Sequence, residues 1–345
     1  MLQIEHLYKR YGRFLAVNDL NLSVGKGELF GFVGANGAGK TTTMRICVGL
    51  LDATAGTVRI GGEDVLANHK LLSEKIGYVP DFFGVYNSFS AMEYLEFFAS
   101  AYGIFGQEAE TLCKDLLELV NLSNKANSDV NGLSRGMKQR LCLARALVHN
   151  PDILFLDEPA SGLDPKARYE LKEILKNLSS MGKTIVISSH ILPELAEMCS
   201  TVGIIDRGHL VLKGTIDEIQ RAAAVSSPVL VTVAEEQVDD VFELLKILPE
   251  VKGVTAQGNR LRITYDGTRE DEKEMLKTLV NNDISVYSFT RQEGSLESLF
   301  MQIVSKQPAK RICWPGCMTK IVGLRVQPEV WSPVTNRKMP VNLCC

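Results

Sequence analysis

At 345 residues the chain is long for one domain, and two domains with a tail are the natural expectation. Hydrophobic residues make up 45% and charged residues 23%, enough for a large core, and a net charge of −3 gives no global electrostatic case for nucleic acid as a partner. No run approaches about 18 apolar residues, so no membrane-spanning segment of its own is expected, and the opening MLQIEHLYKRYGR lacks the apolar stretch of a signal peptide.

In chain order, residues 2–7 and 14–24 alternate as strands, with Tyr11 beside Gly12 in the hairpin between them. Gly25-Lys26-Gly27 turns the chain into a short apolar strand, Leu29 to Val33, and Met44, Ile46, Val48 and Leu50 follow with helical spacing. Further strands are expected at Gly56–Ile60 and Lys75–Val79, and helices from Ala91, over Ala109–Val120, and from Met137 to about His149. Pro151 then starts the wholly apolar strand Ile153–Leu156, and a helix over Pro165–Ser180 leads to strand Thr184–Ser188. Alternating helix and strand in this half indicates a mostly parallel α/β sheet.

Beyond Gly214 the order changes. Strand Val229–Val233, helix Val238–Leu248, strands Val251–Ala256 and Leu261–Tyr265, helix Glu270–Val280 and strand Ile284–Phe289 give β-α-β-β-α-β, the order of a ferredoxin-like unit, closed by a helix Ser295–Val304. From Gln307 periodicity stops. Six basic residues against one acidic give this stretch +5, with four of the eight cysteines, and it reads as a disordered tail. Cys47, Cys113, Cys142 and Cys199 sit singly in apolar surroundings, as small core residues of a reduced protein do.

The chemistry begins at Gly34-Ala35-Asn36-Gly37-Ala38-Gly39-Lys40-Thr41-Thr42, which fits G-x-x-x-x-G-K-[ST] between a strand and a helix. A polyanion needs several backbone N–H groups aimed at one point, and residues without side chains let the backbone wrap that closely. The helix beginning near Gly39 adds its positive end. Lys40 supplies a point charge for β- and γ-phosphates, and the Thr41 hydroxyl can ligate Mg²⁺. A nucleotide and Mg²⁺ are the expected ligands, and the resemblance given below makes the nucleotide ATP. The strand Ile153–Leu156 pushes Asp157 to the sheet edge where α/β ligands sit, so Asp157 is a candidate metal ligand opposite Thr41. Glu158 follows as candidate base for the attacking water, and His190, after another apolar strand, lands at the same edge.

Together these residues resemble the nucleotide-binding subunit of an ABC transporter, over roughly Leu2 to Gly214. Tyr11 resembles the aromatic that stacks on adenine. Gly34–Thr42 resembles the Walker A loop, Leu133-Ser134-Arg135-Gly136-Met137-Lys138-Gln139-Arg140 the signature, and Ile153–Asp157 the Walker B strand. Ser161–Asp164 resembles the D-loop and His190 the switch histidine. The family's usual signature is LSGGQ, so Arg135 and Met137 depart from it. Asp81 stands where the Q-loop has glutamine, and can reach Mg²⁺ through water.

The resemblance implies a P-loop (RecA-like) ABC ATPase core over 1–214 with a helical subdomain at about 88–150. A small α+β ferredoxin-like domain over 215–306 follows, like appendages on ATPases of ABC-2-type exporters. It further implies catalytic roles for Lys40, Glu158 and His190, and a second nucleotide-binding subunit whose ATP meets Ser134 and Gly136. An integral membrane permease would be the other partner, placing the chain peripherally on the cytoplasmic side of the membrane. The stretch Asp81–Asn87 resembles the part of the family that faces the permease. The alternative is a soluble ABC ATPase acting on ribosomes or DNA.

Overall fold

The computed structural model of the chain describes residues 1–81, 89–219, 228–265 and 267–291. The expected helix 295–304, the aromatics Phe82, Phe83 and Tyr86, and the tail from 307 lie outside these residues.

Strands β1 (Leu2–Tyr11) and β2 (Phe14–Val24) form an antiparallel hairpin, which pairs through β1 with β4 (Ala55–Ile60) and on to β5 (Glu63–Asp64). Between them in sequence lie β3 (Leu29–Val33) and α1 (Lys40–Cys47), then α2 (His69–Lys75) and β6 (Ile76–Val79). Lys75 thus ends a helix instead of starting the strand. Next come α3 (Ala91–Ala101), α4 (Gly106–Leu119), α5 (Arg135–Leu147), β7 (Ile153–Leu156), α6 (Pro165–Ser180), β8 (Thr184–Ser189) and α7 (Leu192–Met198). β9 (Thr201–Asp206) and β10 (His209–Thr215) complete this part, and had no counterpart in the sequence reading.

β9, β3, β8, β7 and β6 are parallel neighbours in a six-stranded sheet, with β10 antiparallel at one edge. Every residue of β3, β7 and β8 is buried. The period of two distributes them between two cores. Leu29, Val33, Leu154, Leu156, Ile185 and Ile187 pack with α3 to α7. Phe30, Phe32, Ile153, Phe155 and Val186 pack with α1 and the antiparallel sheet. α1 is therefore held between two sheets by Met44, Ile46 and Cys47. The helix α3 starts from a capping box, Ser90 with Glu93, and α6 from Asp164, whose carboxylate accepts from Ala167 N–H, with Pro165 at its first turn. Cys47, Cys113, Cys142 and Cys199 are buried free thiols.

The C-terminal unit comprises β11 (Val229–Val233), α8 (Val238–Lys246), β12 (Val251–Gln257), β13 (Arg260–Tyr265), α9 (Arg269–Asn281) and β14 (Val286–Arg291). Its antiparallel sheet runs β12-β13-β11-β14, so the first strand lies between the third and the fourth, the ferredoxin-like arrangement. Val229, Val231 and Val233 alternate onto a core shared with Leu261, Ile263, Val241, Leu245 and Leu279.

Candidate functional site

Four adjacent parallel strands end at one edge of the six-stranded sheet, and each delivers a residue singled out above. β3 leads into Gly34, β8 into His190, β7 into Asp157 and Glu158, and β6 through Pro80 into Asp81. The C-terminal edge of a parallel sheet is where α/β proteins place ligands. Here it opens on a cavity of about 380 Å³ lined by Tyr11, Asn36, Gly37, Gly39, Lys40, Thr41, Thr42, Asp81, Glu158 and His190 among others.

Gly34, Ala35 and Ala38 form the turn beneath this lining: Ala38 N–H donates to Ala35 O at 3.1 Å, and Gly34 N–H to Ser189 O at 3.3 Å. A Cβ on Gly34 would lie 2.5 Å from Ile205 O, so only glycine lets the loop close on β9. Gly39, at φ +110°, precedes α1 in a left-handed conformation, with Ala16 O 2.6 Å from where a Cβ would be.

Lys40 is buried, its ammonium donating to Gly34 O at 2.7 Å and lying 3.3 Å from Glu158 Oε1. The other Glu158 oxygen meets His190 Nδ1 at 2.8 Å. The cradle lysine, the candidate base and the histidine thus form one chain of contacts. Glu158 has φ +50°, a left-handed conformation that non-glycine residues seldom hold, and its N–H donates to Ser188 Oγ at 2.9 Å. Such strain marks functional sites when surrounding bonds enforce it.

Asp157 is 2% exposed, and its Oδ1 accepts from Thr41 Oγ1 at 3.1 Å and Ser188 Oγ at 2.7 Å. Among the described residues no cation lies within ion-pair distance of it. A buried carboxylate answered only by hydroxyls is costly. Thr41 and Asp157 therefore fit a hard divalent cation, which they would hold with further oxygen ligands supplied by phosphate and water. No group of three or more His, Cys, Asp or Glu suited to a metal occurs among the described residues.

Asp81 makes no bond to Thr41 or Asp157. Its pKa is raised, first by burial and then by the negative fields of Asp157 and Glu158. Tyr11 is 47% exposed at the cavity mouth, with the Lys9 ammonium 5.3 Å from its ring. Ser134 and Gly136 are not in the cavity lining of this chain. Ser134 caps α5, its Oγ accepting from Met137 N–H at 3.3 Å, and is exposed. Gly136 is buried against α6, where a Cβ would come 2.6 Å from Ala167 Cβ.

Sequence reasoning missed Phe14, Ala16 and Ser188. Phe14 is 61% exposed, pairs with Tyr11 across the first hairpin and lines the cavity beside it. Its place directly after the Gly12-Arg13 turn was the available signal. Ser188 offered none, being one hydroxyl in a buried strand.

Comparison with known proteins agrees with this geometry. The family described as "ABC transporter" matches residues 17–161, and "ATP-binding protein DrrA1-3-like, C-terminal domain" matches residues 214–304. The chain is 42% identical over 213 residues to the Nod factor export ATP-binding protein I of Burkholderia orbicola (strain AU 1054), covering 62% of this chain and 70% of that protein. It is 31% identical over 309 residues to the linearmycin resistance ATP-binding protein LnrL of Bacillus subtilis (strain 168), covering 89% of this chain and 99% of the relative. Among solved structures, an ATP-binding subunit of an ABC transporter superposes with a TM-score of 0.58 at 30% identity, over 64% of this chain and 92% of the other. The ATP-binding cassette MJ0796, in a dimeric post-hydrolysis state with ADP and Pi, gives 0.57 at 27% identity, over 63% and 99%. With a glycine-rich loop, a hydroxyl-held buried acid and a strained glutamate at one sheet edge, and with these relatives, the chain belongs to the ABC transporter ATP-binding subunits, ATP hydrolases, with a DrrA-like C-terminal domain.

Proposed function

We propose that this chain is the motor of an exporter, closing as a pair around two ATP molecules and driving a separate membrane permease from the cytoplasmic face. The observation that carries the reading is the contact chain Lys40–Glu158–His190 beside Thr41–Asp157–Ser188. Thr41 and Asp157 would hold Mg²⁺, which neutralises charge on the β- and γ-phosphates. Lys40, already aimed along the loop carbonyls, turns to the phosphate oxygens. Glu158 orients and polarises the water, and His190 Nδ1–H fixes the carboxylate that does so. Tyr11 and Phe14 offer aromatic surface for the base.

Ser134 and Gly136 are outside the cavity lining of their own chain; Ser134 is exposed at the capped start of α5, a helix end suited to a phosphate brought by a second subunit, and Gly136 is buried two residues on. The export direction is supported by what two relatives are named for, Nod factor export and linearmycin resistance. No helix among the described residues is long and apolar enough to cross a membrane, and the reading assigns the crossing to a partner. The reading divides the chain into a nucleotide-binding domain, 1–214, with its helical part at about 88–150, and an accessory domain, 215–306.

Glu158→Gln with Mg-ATP should run as a dimer in sedimentation, because it binds but does not turn over. A strictly monomeric variant under saturating Mg-ATP would remove the paired-motor reading. Co-purification with a membrane protein, against co-sedimentation with ribosomes or DNA, separates the exporter from the soluble alternative.

A further inference from the structure

The lining of the cavity comes from two different sheets. Tyr11, Phe14 and Ala16 belong to the first hairpin, whereas Asn36, Gly37, Gly39 and Lys40 follow β3 of the six-stranded sheet. A nucleotide carries its aromatic base at one end and its phosphates at the other, so a site for it needs both parts held at a fixed separation.

The tight turn between β9 and β10 joins the two parts. Asp206 pairs with His209 across it, and Arg207 and Gly208 between them hold φ +46° and +81°, the left-handed pair of a two-residue hairpin turn. Toward the glycine-rich loop, Gly208 N–H donates to Ala38 O at 2.8 Å. Toward the first hairpin, Gly208 O accepts from Asn18 N–H at 3.0 Å, and the Asn18 amide nitrogen meets His209 Nε2 at 2.6 Å. One residue of the turn is thus bonded to both parts of the cavity. The approach on the hairpin side leaves no room. A Cβ built on Gly208 would lie 2.8 Å from Ala16 O and 2.9 Å from Asn18 N and from Val17 Cα. Those three nearest atoms all belong to the backbone of β2, and none to the glycine-rich loop.

We infer that Gly208 is a positioning residue for the nucleotide: it pins the hairpin bearing Tyr11, Phe14 and Ala16 against the glycine-rich loop, and so sets the span between base and phosphates. The inference rests on reading the cavity as the ATP site. A side chain at position 208 pushes on β2 alone. It displaces the aromatic wall and leaves the bond to Ala38 O, with the loop it holds, in place. The Asn18–His209 contact lies on the same side of the turn, and removing it loosens the same joint.

The test compares two ligands on the full chain by calorimetry, Mg-ATP and Mg-tripolyphosphate, the second having phosphates but no base. Stacking on aromatic side chains contributes roughly five- to hundred-fold in affinity per base, which gives the parent a preference for Mg-ATP that depends on where the wall stands. Gly208→Ala should cut that preference about five-fold or more through weaker Mg-ATP binding, with the Kd for Mg-tripolyphosphate within about two-fold of the parent. Asn18→Ala adds no atom to the joint and should shift the preference the same way by about two- to five-fold, the scale of one lost hydrogen bond. Gly182→Ala is the control for backbone strain, since Gly182 has φ +91° with open space around it in the turn before β8, and it should leave the preference unchanged. Equal losses for both ligands, or a preference that both variants keep, overturn the inference alone, because the turn would then hold the fold and not the nucleotide. A parent that binds no Mg-ATP removes the ATP reading and the inference with it.

Discussion

Replacing Ser188 by alanine would remove one oxygen on which both acids of the site depend. Ser188 is fully buried, its hydroxyl donating to Asp157 Oδ1 at 2.7 Å and accepting the N–H of Glu158 at 2.9 Å. A hydrogen bond to a carboxylate contributes about 1.5–3 kcal/mol, and a buried N–H left unsatisfied costs about 1–3 kcal/mol. Local relaxation recovers some of this, because Glu158 can leave its left-handed conformation once nothing holds its N–H. A net loss of about 3 kcal/mol follows, or a fall of about 6–12 °C in the thermal midpoint at 2–4 °C per kcal/mol for a domain of this size. Relaxation of Glu158 also moves the candidate base, so turnover should fall further than the lost stability explains at assay temperature. Ser188→Thr is the control. It keeps the hydroxyl and adds a methyl group to a full slot, at about 1 kcal/mol or more. Calorimetric melting and ATPase assays of both variants decide the matter. An alanine variant that melts at or above the threonine variant, with turnover intact, would refute the reasoning.

Lys40→Ala removes charge-assisted bonds to phosphate and should weaken Mg-ATP binding about ten- to hundred-fold by calorimetry, while unchanged affinity would exclude Lys40 from the cradle. His149 is stacked on Tyr102 with ring centroids 4.4 Å apart, and burial lowers its pKa, aided by Lys183 and opposed by a hydrogen bond with Ile76 O. The fold thus favours neutral His149, so stability is lost as pH falls through the unfolded histidine value of about 6.5 toward the lowered folded one. A His149→Gln variant should therefore lose less thermal stability than the parent between about pH 7 and pH 5, and equal losses would show that His149 contributes nothing.

How much of this was legible in the residues follows from the range of the interactions involved. The glycine-rich turn before α1 was readable because its glycines answer local backbone demands: the left-handed conformation of Gly39 and the approach of Gly34 to Ile205. The strands Ile153–Leu156 and Val229–Val233 were readable because a short run of apolar or alternating residues specifies burial directly. The pairing of β1, β2, β4 and β5 into a sheet separate from the parallel one was not, since strand partners are chosen by long-range packing. β9 and β10 went unread for a related reason. β9 is buried in register with β3, but its glycine at 203 and the turn at 207–208 interrupt any simple pattern. Ser188 illustrates the harder limit. A serine in an apolar strand has no distinctive spacing. Its meaning comes from the two acids that lie opposite it.

The ATPase account is tested most directly by the hydrolysis rate of Glu158→Gln against the parent, at Mg-ATP concentrations where calorimetry shows both to be saturated. With the candidate base replaced by an amide of the same shape, turnover should fall by about 10²–10⁴-fold while Mg-ATP affinity is kept. Hydrolysis at the parent rate would contradict the account, because the strained glutamate between Lys40 and His190 would then have no part in the chemistry.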